Sequence, residues 1–271
     1  MKDDPSISRR RFGAIAGGAL ASFAWGEACH RETQAREAAD GRLTARPRAA
    51  VGKTPAEGRR VLGLDPRRDA VLQIPAQPDD RPMPLFVLLH GAGGTGEGVL
   101  RRLGSAPDAA HVAVLAPDSR ESTWDAIRGE FGPDVAFIDR ALQRVFESAS
   151  IDPERIAVGG FSDGATYALS LGLINGDLFH RIVAFSPGFL VDGAPHGKPA
   201  FFISHGTADP ILPIDRCSRP IVSGLTGRGY DVTFREFDGG HEIPAGIARD
   251  GLRWVAGLPP IASSAGLAIP I

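Results

Sequence analysis

From Arg59 onward, short apolar runs alternate with longer stretches in which apolar positions recur every three or four residues. The clearest run is "PLFVLLHG", Pro84 to Gly91, apolar without alternation, as expected of a strand covered on both faces. "DAVLQIPA" reads as an edge strand. "HVAVLAPD", "ERIAVGGFS", "RIVAFSPG", "PAFFISHG" and "DVTFREFDGG" are further strand candidates, each closing on a polar or glycine-rich turn. Between them, "PDVAFIDRALQRVFESAS" sets Val135, Ile138, Ala141, Leu142, Val145 and Phe146 at helical spacing. "DGATYALSLGLING" and "PIVSGLTGRG" predict shorter helices ending at Asn-Gly or Gly. This alternation predicts an α/β fold, a mostly parallel central sheet with helices on both faces. Ligands of such sheets lie beyond the carboxyl ends of the strands, so chemistry is expected in the strand-closing turns.

The residues before Arg59 follow a different rule. "SRRRFGAIAGGALASFAWGEACH" joins an arginine cluster to an apolar, Gly- and Ala-rich run and then to small residues, the order of an export signal. Arg9 and Arg10 with Phe12 resemble the twin-arginine motif of cargo that crosses a membrane already folded. The run from Phe12 to Trp25 is short for a membrane span, and as an amphipathic helix it would put its arginines on no consistent face. Cys29 raises lipoprotein anchoring, but the large aliphatic residue usual three places upstream is Gly26. Large apolar residues then almost vanish up to Gly58, which predicts a flexible linker. The expected organisation is an export signal over 1–28, a linker over 29–58, one catalytic domain over 59–258 and a Pro- and Ala-rich tail over 259–271.

Composition narrows the function classes. A chain of 271 residues with 43% hydrophobic residues can bury one large core. A net charge of −2 without a long basic block leaves no footprint for nucleic acid, so a small-molecule substrate is expected. Two cysteines, Cys29 and Cys217, supply neither a disulfide framework nor a Cys-rich metal site, and no metal or organic cofactor is expected. Oligomeric state is not encoded in any of these features.

Three strand-closing turns carry a serine, an acid and a histidine in that order. Gly160-Phe161-Ser162-Asp163-Gly164 is a G-x-S-x-G elbow between an apolar strand and a helix. Taken alone, Ser162 could equally be an N-cap. Asp209 closes "FFISHGTAD" before a proline, and His241 follows a strand and a glycine pair in "FDGGHEIP". Each has a plain structural alternative, a turn cap for Asp209 and a surface position for His241. Together they fit a nucleophile (Ser162), an orienting acid (Asp209) and a general base (His241), with room for a strand and a helix between each pair.

A fourth turn, "LLHGAGGTGEG", lacks the endings of nucleotide-binding loops. Its fitting role is to supply one backbone N–H of an oxyanion hole, here that of Ala92, with the N–H of Asp163 as the second. His90 is expected to organise that loop. The Asp163 side chain complements the helix dipole, with a role in substrate choice as the alternative. Trp124, in "SRESTWDAI", is a candidate substrate-pocket wall or a core cover.

With these residues in view, the chain resembles the α/β-hydrolases, and more narrowly the phospholipase/carboxylesterase and dienelactone-hydrolase-like serine esterases. "LLHGAGG", "GGFSDGA", "SHGTAD" and "DGGHEIP" carry the resemblance from about Pro84 to Gly257. It implies an α/β-hydrolase fold, a Ser162–Asp209–His241 triad, Ala92 and Asp163 as oxyanion donors, and hydrolysis of carboxylic esters through an acyl-enzyme. Asp163 departs from the glutamine of many carboxylesterases. "FSDGA" is also similar to secreted polyhydroxybutyrate depolymerases and feruloyl esterases, which often carry asparagine there. Only "GFLVDGAPHGK" separates "RIVAFSP" from "PAFFISHG", too short for a helical cap domain, so an open site is expected. A noncatalytic binding protein of the same fold and a peptidase are the alternative functions.

Overall fold

The computed structural model describes residues 38–48, 56–76, 81–191 and 193–259. The twin-arginine stretch, Cys29 and residues 260–271 of the expected tail lie outside the described residues. In chain order the elements are β1 (Gly58–Val61), β2 (Ala70–Ile74), β3 (Met83–Leu89), α1 (Gly96–Arg102), α2 (Ala106–Ala110), β4 (Ala113–Pro117), α3 (Asp125–Arg128), α4 (Pro133–Ser148), β5 (Ile151–Phe161), α5 (Asp163–Ile174), β6 (Arg181–Phe185), β7 (Ala200–Gly206), α6 (Ser218–Gly227), β8 (Val232–Phe237) and α7 (Ala245–Val255).

One eight-stranded sheet runs in the order β1-β2-β4-β3-β5-β6-β7-β8. Only the β1–β2 and β2–β4 pairings are antiparallel. From β4 to β8 every pairing is parallel. All seven residues of β3 are buried. Leu85, Val87 and Leu89 face one core layer with α4 and α5, while Phe86 and Leu88 face the other with α1, α2 and α7. The unbroken apolar run therefore reports a strand sandwiched between two helical layers. Helix α5, buried at every position but Asp163, is the central helix of its layer.

The strand runs read from the sequence all form strands in this sheet, but β2, expected at an edge, lies inside it because β1 pairs along its outer side. Five elements were not read from the sequence: β1, whose "GRRV" carries no apolar alternation, the short helices α1, α2 and α3, and α7, whose apolar face follows directly on the His241 turn. The described residues between β6 and β7 contain no helix. Among the described residues no helix is long and apolar enough to cross a membrane, and no cluster of side chains could hold a metal.

Part of the stretch expected to be a flexible linker packs on the domain. Ala38, Leu43 and Ala45 are buried in the core layer of α4 and α5. The Leu43 N–H donates to Asn175 Oδ1, and the N–H groups of Thr44 and Ala45 donate to Asp139 Oδ1. Arg42 and Arg46 pair with Asp177. One buried leucine and a set of long-range polar partners offset the ordering cost that local composition alone predicts to be prohibitive.

Candidate active site

Ser162 stands between β5 and α5 with φ 57° and ψ −120°, a left-handed conformation that a non-glycine residue adopts only when its surroundings force it. The neighbouring glycines are what permit the bend. A Cβ on Gly160 would lie 2.4 Å from the carbonyl carbon of Gly164, and one on Gly164 would lie 2.2 Å from the carbonyl oxygen of Leu89. Backbone bonds hold the turn, with Ser162 N–H donating to Phe185 O and Thr166 N–H to Ser162 O, both at 3.0 Å. The hydroxyl makes no capping bond to α5.

Asp209 and His241 come together across the turns that follow β7 and β8. His241 Nδ1 lies 2.7 Å from Asp209 Oδ2. Asp209 Oδ1 accepts the N–H groups of Ile211 and Leu212, each at 2.9 Å. Burial opposes ionisation of Asp209, but the Leu212 N–H, His241 and the Ile211 N–H outweigh it and hold the carboxyl below its usual range. The acid is thus kept as the carboxylate that an imidazole N–H needs as partner. The His241 ring packs on Phe161, centroids 4.7 Å apart, which fixes it beside the elbow that carries Ser162. No hydrogen bond joins Ser162 Oγ to His241 in this arrangement; such contacts commonly tighten only when substrate binds.

The loop after β3 reaches the same point. A Cβ on Gly91 would sit 3.2 Å from Ser162 Cβ, so this loop lies against the serine. The exposed Ala92 and the first residue of α5, Asp163, spend their backbone N–H groups on no protein acceptor among the described residues. His90 organises the loop from beneath. Its Nε2 accepts the Ser119 N–H at 3.0 Å, which leaves Nδ1 to donate to Gly91 O at 2.7 Å. Burial lowers its proton affinity, so the imidazole stays neutral, as these two bonds require. Arg68 ties this loop to the turn after β4 by donating to Gly94 O and Ser119 O.

Trp124 is not a pocket wall. It is fully buried, stacks on Tyr167 at 5.2 Å and donates its indole N–H to His90 O at 2.8 Å. The ring belongs to the core beneath the loop after β3 because its one polar atom finds a buried carbonyl there. The Asp163 carboxylate accepts the Thr123 hydroxyl at 2.6 Å, so it is anchored beside the site. Two participants were missed in the sequence. Phe161, the variable residue of the elbow, backs His241, and His205, inside "SHGTAD", lies behind Asp209. The inward position of His205 in β7 was its only sequence signal.

Residues 134–247 match the phospholipase/carboxylesterase family. A putative esterase, NocK, of Nocardia uniformis subsp. tsuyamanensis is 30% identical over 68% of this chain, which spans about half, 53%, of that relative. A probable feruloyl esterase C of Aspergillus oryzae is 28% identical over 66% of this chain and 78% of its own length. The crystal structure of an S-formylglutathione hydrolase from Staphylococcus aureus superposes with a TM-score of 0.60 at 15% identity, covering 74% of this chain and 98% of the other. The chain is an α/β-hydrolase by fold, related through residues 134–247 to the phospholipase/carboxylesterase family.

Proposed function

We propose that the chain is an exported serine esterase that cleaves small carboxylic esters through an acyl-enzyme on Ser162. The observation that carries the reading is the 2.7 Å contact between His241 Nδ1 and Asp209 Oδ2 at the strand edge that also bears the strained Ser162. In the reaction, His241 Nε2 takes the hydroxyl proton as Ser162 Oγ bonds to the acyl carbon. The N–H groups of Ala92 and Asp163 receive the developing oxyanion, assisted by the positive end of the α5 dipole. The alcohol leaves with the proton from His241. Water, deprotonated by the same imidazole, then releases the acid and restores Ser162. Asp209 keeps the Nδ1–H of His241 in place throughout and stabilises the imidazolium. No step calls for a metal or organic cofactor.

The experiment is active-site labelling. A fluorophosphonate is expected to modify Ser162 stoichiometrically, and Ser162→Ala to abolish turnover of p-nitrophenyl acetate. Turnover retained in that variant would overturn the reading; a parent chain that cleaves no ester or aminoacyl amide would instead favour a binding protein.

Feruloyl-type esters are the second reading, favoured by the match to a probable feruloyl esterase of similar extent. A library holding methyl ferulate, short alkyl esters and 3-hydroxybutyrate oligomers separates feruloyl, simple carboxylester and polyhydroxybutyrate-type activity. Export rests on Arg9, Arg10 and Phe12, and replacing both arginines by lysine is expected to trap the precursor in the cytoplasm.

A further inference from the structure

We infer that His205 is a positioning residue of the active site, a buried imidazole that holds the carboxylate of Asp209 from behind and tunes the base it serves. The inference rests on the triad reading above.

His205, near the end of β7, has no solvent exposure. Its Nε2 faces two acceptors, Leu212 O at 2.7 Å and Asp209 Oδ2 at 3.2 Å. Neither can donate, so the ring proton sits on Nε2 and is shared between them. Nδ1, then unprotonated, accepts from the Ser218 hydroxyl at 2.6 Å. Ser218, itself fully buried at the start of α6, thereby fixes the tautomer. Burial lowers the proton affinity of His205 despite the nearby carboxylate. A neutral ring is what this bonding pattern demands.

The consequence lies in which oxygen is shared. His241 and His205 both approach Oδ2 of Asp209, from the solvent side and from the core side, while Oδ1 takes two backbone N–H groups. The carboxylate is saturated with donors, and each one draws charge away from His241. Loss of the His205 donor concentrates negative charge on Oδ2, which favours the protonated imidazolium of His241. Loss of the Leu212 O contact also loosens the loop that aims Asp209.

The test compares the parent chain with His205→Leu, His205→Gln and Ser218→Ala in pH profiles of p-nitrophenyl acetate hydrolysis, each checked for fold by circular dichroism. In His205→Leu the acid limb of kcat/KM is expected to move up by about half a pH unit or more, with kcat falling roughly tenfold and KM changing little, a loss within the range that a positioned base contributes. His205→Gln keeps an N–H donor and should restore most of both. Ser218→Ala, which frees the tautomer, should move the limb the same way by less. A limb that stays in place in the folded Leu and Ala variants overturns the inference, even if kcat drops, because a structural role alone lowers activity without moving the limb. Should His205→Leu fail to fold, Ser218→Ala decides the matter by the same criterion. Failure of the triad reading is separately visible, as turnover surviving in Ser162→Ala.

Discussion

Trp124 donates its indole N–H to the carbonyl oxygen of His90 at 2.8 Å, with both residues shut off from solvent. The bond ties the core to the residue that immediately precedes the glycine-rich loop after β3. Trp124→Phe keeps most of the ring but leaves a buried carbonyl without that donor, at an expected cost of about 1–3 kcal/mol. Chemical denaturation measures the loss. Because the untied loop carries Ala92, kcat should fall in the same variant more than KM rises.

Gly164 meets the backbone of β3, where an added Cβ would lie 2.2 Å from Leu89 O. Gly164→Ala must push the elbow away from the strand, since backbone on both sides cannot yield. Overpacking of this kind costs about 1–3 kcal/mol or more. Fluorophosphonate labelling of Ser162 is expected to be lost even at temperatures where the variant is still folded by circular dichroism.

Asp163 sits one residue past Ser162 with its carboxylate on the Thr123 hydroxyl at 2.6 Å. Its charge there should repel esters of dicarboxylic acids. Asp163→Asn keeps the backbone N–H and should leave p-nitrophenyl acetate turnover within a few fold of the parent. The relative kcat/KM for a hemisuccinate ester should rise roughly three- to tenfold, the scale of one partly screened charge at close range. An unchanged ratio would mean that the carboxylate serves only to pair with Thr123.

Asp177 fastens the 38–48 segment by ion pairs to Arg42 at 2.9 Å and Arg46 at 2.6 Å. The Arg42 hydrogen bond, with help from Arg46 and against partial burial, holds the Asp177 carboxyl well below its usual range. A carboxyl depressed in the folded state contributes its full stabilisation above its unfolded value, about 4, and loses it as pH falls from there. The site is more than one-third exposed, so screening keeps the contribution to about 1 kcal/mol or less. Asp177→Asn should therefore lower unfolding stability slightly at pH 7, a difference that largely persists near pH 3 and vanishes only as pH falls through the depressed folded-state value, as read from urea titrations across that range.

Leu43 tests whether the same segment belongs to the folded domain. It is 2% exposed. Leu43→Ala should cost about 2–5 kcal/mol if the segment is core, and close to nothing if it were a linker. Differential scanning calorimetry distinguishes the two outcomes.

Much of the fold was legible because burial on both faces leaves a signature in single strands. β3 and β6 read as strands from composition alone, and the elbow glycines, Asp209 and His241 stood at strand ends in the serine, acid, histidine order. What local sequence could not carry was anything that depends on a distant partner. Residues 38–48 look like linker until Asn175, Asp139 and Asp177 supply acceptors from across the domain. Trp124 was equally consistent with pocket and core until the His90 carbonyl took its indole N–H.

The sequence by itself determined the layer order and the residues able to do chemistry, because hydrophobic periodicity and the G-x-S-x-G spacing are local properties. The tertiary structure alone decided how those residues are held: Asp209 Oδ2 between two imidazoles, His241 against Phe161, and His205 in one tautomer through Ser218. Hydrogen-bond saturation of a buried carboxylate arises from residues converging from different strands and helices, and no spacing along a chain encodes that convergence.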